Sequence, residues 1–207
     1  MRFLLIDDHE VVRSGLKLIL LGQYNNCTID EAEDGESAHI KLKLQHYDLV
    51  ILDIKMPNTN TFSLMEYIHH TYPNIKVLIF SMNSESIYAK RFIAAGARGF
   101  INKIAPLDEI LKAINLVLSG KKYISETMLE ALSQPGKRTE KANPFDGLSP
   151  REFEITTLLL AGDGISQIAH QLNLQVSTIG THKARIFEKL KVANIIELKE
   201  LASSFNI

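Results

Sequence analysis

Asp7 and Asp8 stand together near the amino terminus, while Asp53, Ser81 and Lys103 stand far from them and from one another. Three carboxylates gathered at one place repel each other unless a cation sits among them. A hard divalent ion with oxygen ligands, Mg²⁺ above all, suits such a set. Around that ion Asp53 is the candidate nucleophile for a phosphoryl group. Asp8 would ligate the metal directly and Asp7 would hold its water shell. Lys103 would contact the phosphoryl oxygens from the far side, and the Ser81 hydroxyl would hydrogen-bond to them. Catalysis of this kind is mostly positioning and electrostatics, so few residues suffice. Singly, each residue reads as a turn or cap group: an Asp pair can cap a helix, and a lone Lys is usually solvated. Only a fold that brings the separate stretches to one edge makes chemistry of them.

The first 120 residues have the pattern of such a fold. Phe3–Ile6, Thr28–Asp30, Leu49–Leu52, Val77–Phe80 and Gly99–Ile101 read as short strands, several of them rich in β-branched residues. Helical patterns lie between and after them at 10–21, 35–45, 61–71, 85–96 and 107–119. The strand-plus-crossover lengths suit βαβ units, which predicts a doubly wound (βα)5 domain with a five-stranded parallel sheet. Runs as apolar as Val50-Ile51-Leu52 fit strands buried on both faces. In such sheets functional groups gather at the carboxyl ends of the strands, where Asp7, Asp8, Asp53, Ser81 and Lys103 all fall.

Past Gly120 the pattern changes. Residues 121–145 read as a linker that opens with Lys121-Lys122-Tyr123, contains a possible short helix at Ser125–Leu132, and turns polar through Pro135, Gly136, Lys137, Arg138 and Pro144. Residues 146–207 predict a small all-α domain of four helices at 150–161, 165–171, 177–190 and 194–203. Apolar residues make up 45% of the chain and the formal net charge is −1, so bulk charge does not advertise a nucleic-acid binder. A DNA site would need local clustering of cations. The single Cys27 makes no intramolecular disulfide and no zinc site. No stretch approaches the roughly 20 apolar residues of a membrane span. The acids at positions 7 and 8 interrupt anything resembling an export signal. A cytoplasmic protein without membrane attachment is the expectation.

Ile6-Asp7-Asp8-His9, Leu52-Asp53-Ile54-Lys55-Met56-Pro57, Phe80-Ser81 and Gly96-Ala97-Arg98-Gly99-Phe100-Ile101-Asn102-Lys103 together resemble the receiver domain of two-component response regulators, and the NarL/FixJ subfamily in particular. The resemblance implies Asp53 as phosphoacceptor, the Lys55 backbone carbonyl as a further metal ligand, and Phe100 as the switch aromatic that turns inward when the hydroxyl follows the phosphoryl group. Ser81 and Phe100 stand where Thr and Tyr are common, and they keep the hydroxyl and the ring. Ile104 stands where proline often follows the lysine across a cis bond. A non-proline cis bond costs about 3 kcal/mol, which leaves the geometry of that loop open. Haloacid-dehalogenase-type phosphatases also use a nucleophilic Asp, but need a second acid two residues on; here that residue is Lys55. The expectation is a regulator, not an enzyme.

In the predicted helix 177–190, Ile179, Ile186 and Leu190 fall on one stripe and should face a core. Ser177, Thr181, Ala184, Arg185 and Glu188 fall on the opposite side, with Lys183 and Lys189 flanking them as candidates for phosphate contacts. An ordinary helical bundle, or one that binds another protein, would show the same periodicity. The motifs Leu148-Ser149-Pro150-Arg151-Glu152-Phe153-Glu154-Ile155, Ile168-Ala169 and Ser177 through Leu190 are similar to the LuxR-type helix-turn-helix. That resemblance implies contact with double-stranded promoter DNA through Ser177, Thr178, Gly180, Thr181, Lys183, Ala184, Arg185 and Lys189. Gly180 and Ala184 depart from the residues common there. Ile195, Leu198 and Leu201 form a last apolar stripe with Ile196 beside it; it packs on its own domain or, as the resemblance implies, pairs two DNA-binding domains as a homodimer. The combined expectation is a response regulator in which a sensor histidine kinase phosphorylates Asp53 with Mg²⁺ bound and so gates DNA binding.

Overall fold

The computed structural model describes residues 1–57, 59–83, 85–125, 143–172, 174–205 and 207. The chain divides into two compact units, Met1–Ser133 and Gln134–Ile207. Beyond Ser125, the short helix expected at Ser125–Leu132 lies outside the described residues.

In the first unit β1 (Arg2–Ile6), β2 (Thr28–Ala32), β3 (Leu49–Leu52), β4 (Lys76–Ser81) and β5 (Gly99–Asn102) alternate with α1 (Glu10–Gln23), α2 (Gly35–Leu44), α3 (Thr61–Thr71), α4 (Glu85–Ala94) and α5 (Leu107–Leu118). The strands form one parallel sheet in the order β2-β1-β3-β4-β5. Successive strand side chains point to opposite faces, so each apolar strand feeds two cores. Leu4, Ile6, Val50, Leu52, Val77, Ile79 and Phe100 pack with residues of α2, α3 and α4. Phe3, Leu5, Leu49, Ile51, Leu78, Phe80 and Ile101 pack with α1 and α5. Each such Leu or Ile contributes about 1.5–3 kcal/mol of burial. The apolar run of β3 is therefore a two-sided strand, as its composition requires.

Register delivers the polar residues. Ile6 pairs with Leu52, so Asp7 and Asp53 leave the sheet side by side, and the Asp53 N–H donates to the Ile6 carbonyl at 2.9 Å. Ser81 pairs with Asn102, and the Lys103 N–H donates to the Ser81 carbonyl at 3.0 Å. No cis peptide occurs among the described residues, so Lys103–Ile104 is trans. Without proline the loop is closed by Asn102 instead. Its side-chain oxygen accepts from the Ile104 N–H at 3.0 Å and its carbonyl from the Ala105 N–H at 3.0 Å.

The second unit holds a 3₁₀ turn (Pro144–Gly147) and four helices: α6 (Pro150–Ala161), α7 (Ile165–Gln171), α8 (Val176–Leu190) and α9 (Ile195–Ser204). Ser149 and Glu152 form a reciprocal capping box with Pro150 in the first turn of α6, the sequence signature of a helix start. Ile155, Leu159, Ile168, Ile179, Ile186, Leu190 and Leu198 are buried. Glu152 is itself buried, and its Oε2 accepts from Lys189 Nζ at 2.6 Å, joining α6 to the last turn of α8.

Burial by itself would raise the Glu152 pKa, but the hydrogen bonds from Lys189 and Ser149 outweigh it and hold the group below the usual glutamate range. A depressed folded-state pKa contributes stability that is fully present above the unfolded value of about 4.3. That stability is lost as pH falls through the lowered folded value. Glu152→Ala should therefore destabilise the C-terminal unit by about 1–3 kcal/mol near neutrality, and the gap from wild type should close in acid. Urea melts of both proteins across pH 3–7 measure it, and a gap independent of pH would contradict the pairing.

Candidate functional site: an acidic pocket and an exposed helix

The pocket forms at the carboxyl edge of the sheet. Asp7 and Asp53 are 3% and 4% exposed, too deep for two anions to sit together without compensation. The compensating charge is Lys103, whose Nζ lies 2.5 Å from Asp7 Oδ2 and 2.8 Å from Asp53 Oδ2. Burial pulls the lysine pKa down, yet the hydrogen bonds and charges of Asp53 and Asp7 more than reverse it, so the ammonium is held above its ordinary range. The other Asp53 oxygen, Oδ1, accepts from the Ile54 N–H at 2.7 Å and the Lys55 N–H at 3.4 Å. Backbone and lysine between them orient the carboxylate.

Asp8 sits at the rim, with Oδ1 buried and without a hydrogen bond of good geometry, although His9 Nδ1 lies 2.8 Å from it. Oxygen atoms of Asp7, Asp8 and Asp53 and a ring nitrogen of His9 all lie within 4.8 Å of one another. That spacing, with an unsatisfied Asp8 oxygen among the acids, fits a divalent cation with oxygen ligands. His9 was not among the residues singled out from sequence, because a ring following an Asp pair carries no signal until the backbone turns it back. It does so here: the His9 N–H donates to Asp7 Oδ1 at 2.9 Å.

Ser81 is fully buried at the end of β4. Its Oγ accepts from the Asn83 side chain at 3.0 Å and the Asn83 N–H at 3.3 Å. Asn83 is a second residue missed in the sequence. Two donors on the oxygen leave the hydroxyl proton to donate elsewhere. Phe100 is 1% exposed and packs with Ala89, Phe92 and Ala97; the ring already lies inward. Lys55 directs its side chain to solvent.

In the second unit α7 and α8 form the helix-turn-helix pair. Ser177, Thr181, Ala184 and Arg185 are exposed along one side of α8, while Thr178 and Gly180 are half-buried. Lys183 Nζ stands 5.2 Å from the centre of the Phe187 ring, which steadies the ammonium. Lys189, a candidate for a phosphate contact, is exposed on α8 and also pairs with Glu152, because the last turn of α8 closes on the α6 cap. Lys183 and Arg185 are the other candidate cations of that helix. In α9, Leu198 and Ala202 are buried against the unit's own core, whereas Ile196 is 66% exposed.

No described helix is long and apolar enough to cross a membrane. Residues 3–115 match the family model described as response regulator receiver domain, and residues 146–202 that described as bacterial regulatory proteins, luxR family. The response regulator GacA of Pseudomonas protegens is 32% identical over 97% of this chain and 94% of its own. The Fimbriae Z protein of Salmonella typhimurium is 35% identical over 99% and 97%. Among solved structures, RcsB from Salmonella enterica serovar Typhimurium, bound to promoter rprA in the presence of phosphomimetic BeF3⁻, has a TM-score of 0.74. It is 25% identical, with 99% of each chain covered. With a receiver pocket at the edge of its sheet and a LuxR-type helix-turn-helix later in the sequence, the chain belongs to the NarL/FixJ-type two-component response regulators, a family of DNA-binding transcription regulators.

Proposed function

We propose that Asp53 accepts a phosphoryl group from a sensor histidine kinase, and that this acylphosphate controls how α8 engages double-stranded promoter DNA. One arrangement carries the reading: a buried lysine after β5 bridging Asp53 and Asp7, which follow β3 and β1. A carboxylate oriented by the Ile54 N–H attacks phosphorus, and the P–N bond to the donor imidazole breaks. Lys103 then transfers its hydrogen bonds to the phosphoryl oxygens, and the Ser81 hydroxyl donates to one of them. Asp8, Asp53 and the Lys55 carbonyl would hold Mg²⁺, with Asp7 on its water shell; bound there, the ion offsets the charge of the incoming phosphoryl oxygens. Phe100 is the switch aromatic of the same strand.

On DNA, Ser177, Thr178, Gly180, Thr181 and Ala184 let α8 approach the major groove. Arg185 reaches a guanine edge or a phosphate, and Lys183 a phosphate. The chain acts as a homodimer, with the exposed Ile196 beside the paired helices. The relatives support this: the RcsB structures include two dimers bound to two parallel DNAs. The domain reading is residues 1–120 as receiver, 121–145 as linker and 146–207 as DNA-binding domain, in a cytoplasmic protein.

Acetyl phosphate with Mg²⁺ should label the wild-type chain and not Asp53→Asn; equal labelling removes Asp53 from the reading. Arg185→Ala should weaken binding to a promoter fragment by about 1–3 kcal/mol. Lys183→Ala should lower the slope of log affinity against log salt by about one. Footprinting and titrations across salt read both, and unchanged behaviour in both variants points away from α8.

A further inference from the structure

The chain does not leave the first unit where α5 ends. It turns at Gly120 (φ +84°) and returns to the sheet, where the Tyr123 N–H donates to the Arg98 carbonyl at 2.9 Å. Tyr123 pairs in parallel with Gly99. Because β5 is the edge strand, this residue covers part of an otherwise open edge. The approach is close: a Cβ at position 99 would lie 3.0 Å from Tyr123 Cβ and from Leu78 Cδ1 and 3.2 Å from the Tyr123 carbonyl oxygen, so its neighbours would have to give way. The tyrosine is 5% exposed and packs in the core with Phe80, Ile101 and Ile110. Its hydroxyl donates to Glu109 Oε1 at 2.6 Å. One side chain thus spans the edge strand and the first turn of α5. The same strand carries Phe100 and ends at Asn102, one residue before Lys103, and the short loop through Lys103 leads straight into α5. A groove of about 780 Å³ opens beside the tyrosine, lined in part by Glu85, Pro106, Glu109, Lys112 and Ile124.

We propose that Tyr123 is a positioning residue, a latch that couples the state of Asp53 to the segment leading out of the receiver. The proposal rests on the reading of Asp53 as phosphoacceptor. When Lys103 exchanges two carboxylates for phosphoryl oxygens, β5 and the start of α5 shift against each other. Tyr123 bridges those two elements, so the shift strains or relaxes its hydroxyl bond and its backbone pairing, and Ile124 and Ser125 move with it. The groove supplies room for the ring to move.

The test uses the full chain with Mg²⁺ and beryllofluoride as the phosphoryl mimic. In wild type, hydrogen exchange at residues 121–125 should change on adding beryllofluoride. Tyr123→Phe keeps the ring and removes the hydroxyl. It should take label from acetyl phosphate at the wild-type rate, yet lose at least threefold of the gain in affinity for a promoter fragment that beryllofluoride confers. Gly99→Ala, which crowds the same contact from the strand side, should lower that gain as well. Unaltered exchange at 121–125, or a full gain in both variants, overturns the latch. A wild type that shows no gain at all overturns the switch reading of Asp53 instead, so the two failures are told apart.

Discussion

Two carboxylates, each nearly inaccessible to water, share one ammonium group, and the first unit is organised around that triad. An isolated buried charge costs several kcal/mol, and removing one partner of a buried pair is strongly destabilising. Asp7, Asp53 and Lys103 therefore form an arrangement that holds only as a set, and a set that responds when its charge changes. A group that alters the charge on Asp53 changes what the lysine must neutralise, and the lysine is joined through a few residues to Ser81, Phe100 and the start of α5. The pocket is thus a point of electrostatic tension.

Strand register makes the triad possible. The pairing of Ile6 with Leu52 brings the two aspartates out together, and that of Ser81 with Asn102 places the lysine one residue beyond. Register is held by the two cores, since a slip of one residue would exchange the faces of every strand. Leu52 and Ile79 on one side, and Ile51 and Leu78 on the other, are thus as much a part of the site as the polar groups. The C-terminal unit uses the same logic with different parts. A buried glutamate caps one helix and holds the lysine of another, and this fixes the rotation at which α8 presents Thr181, Ala184 and Arg185 to solvent.

Much of this was legible in the linear chain, because periodicity and local chemistry act over a few residues. The alternation of apolar runs and amphipathic stretches predicted each strand and helix of the described residues to within a few positions. The stripe of Ile179, Ile186 and Leu190 is the buried stripe of α8. Asp7, Asp8, Asp53, Ser81 and Lys103 were identifiable because their types suit one reaction and each lies at the end of a strand. Tertiary structure alone decided which side chains complete those groups. His9 joins the pocket, and Asn83 the Ser81 hydroxyl, through backbone turns that no spacing announces. Lys189 looks like any solvent-facing cation until the α6 cap is folded against it. Tyr123 reads as the opening of a linker, yet it is core, because the unpaired edge of β5 and a glycine at 99 accept it. Pairings between residues far apart in the chain depend on how elements pack, and packing is a property of the folded whole.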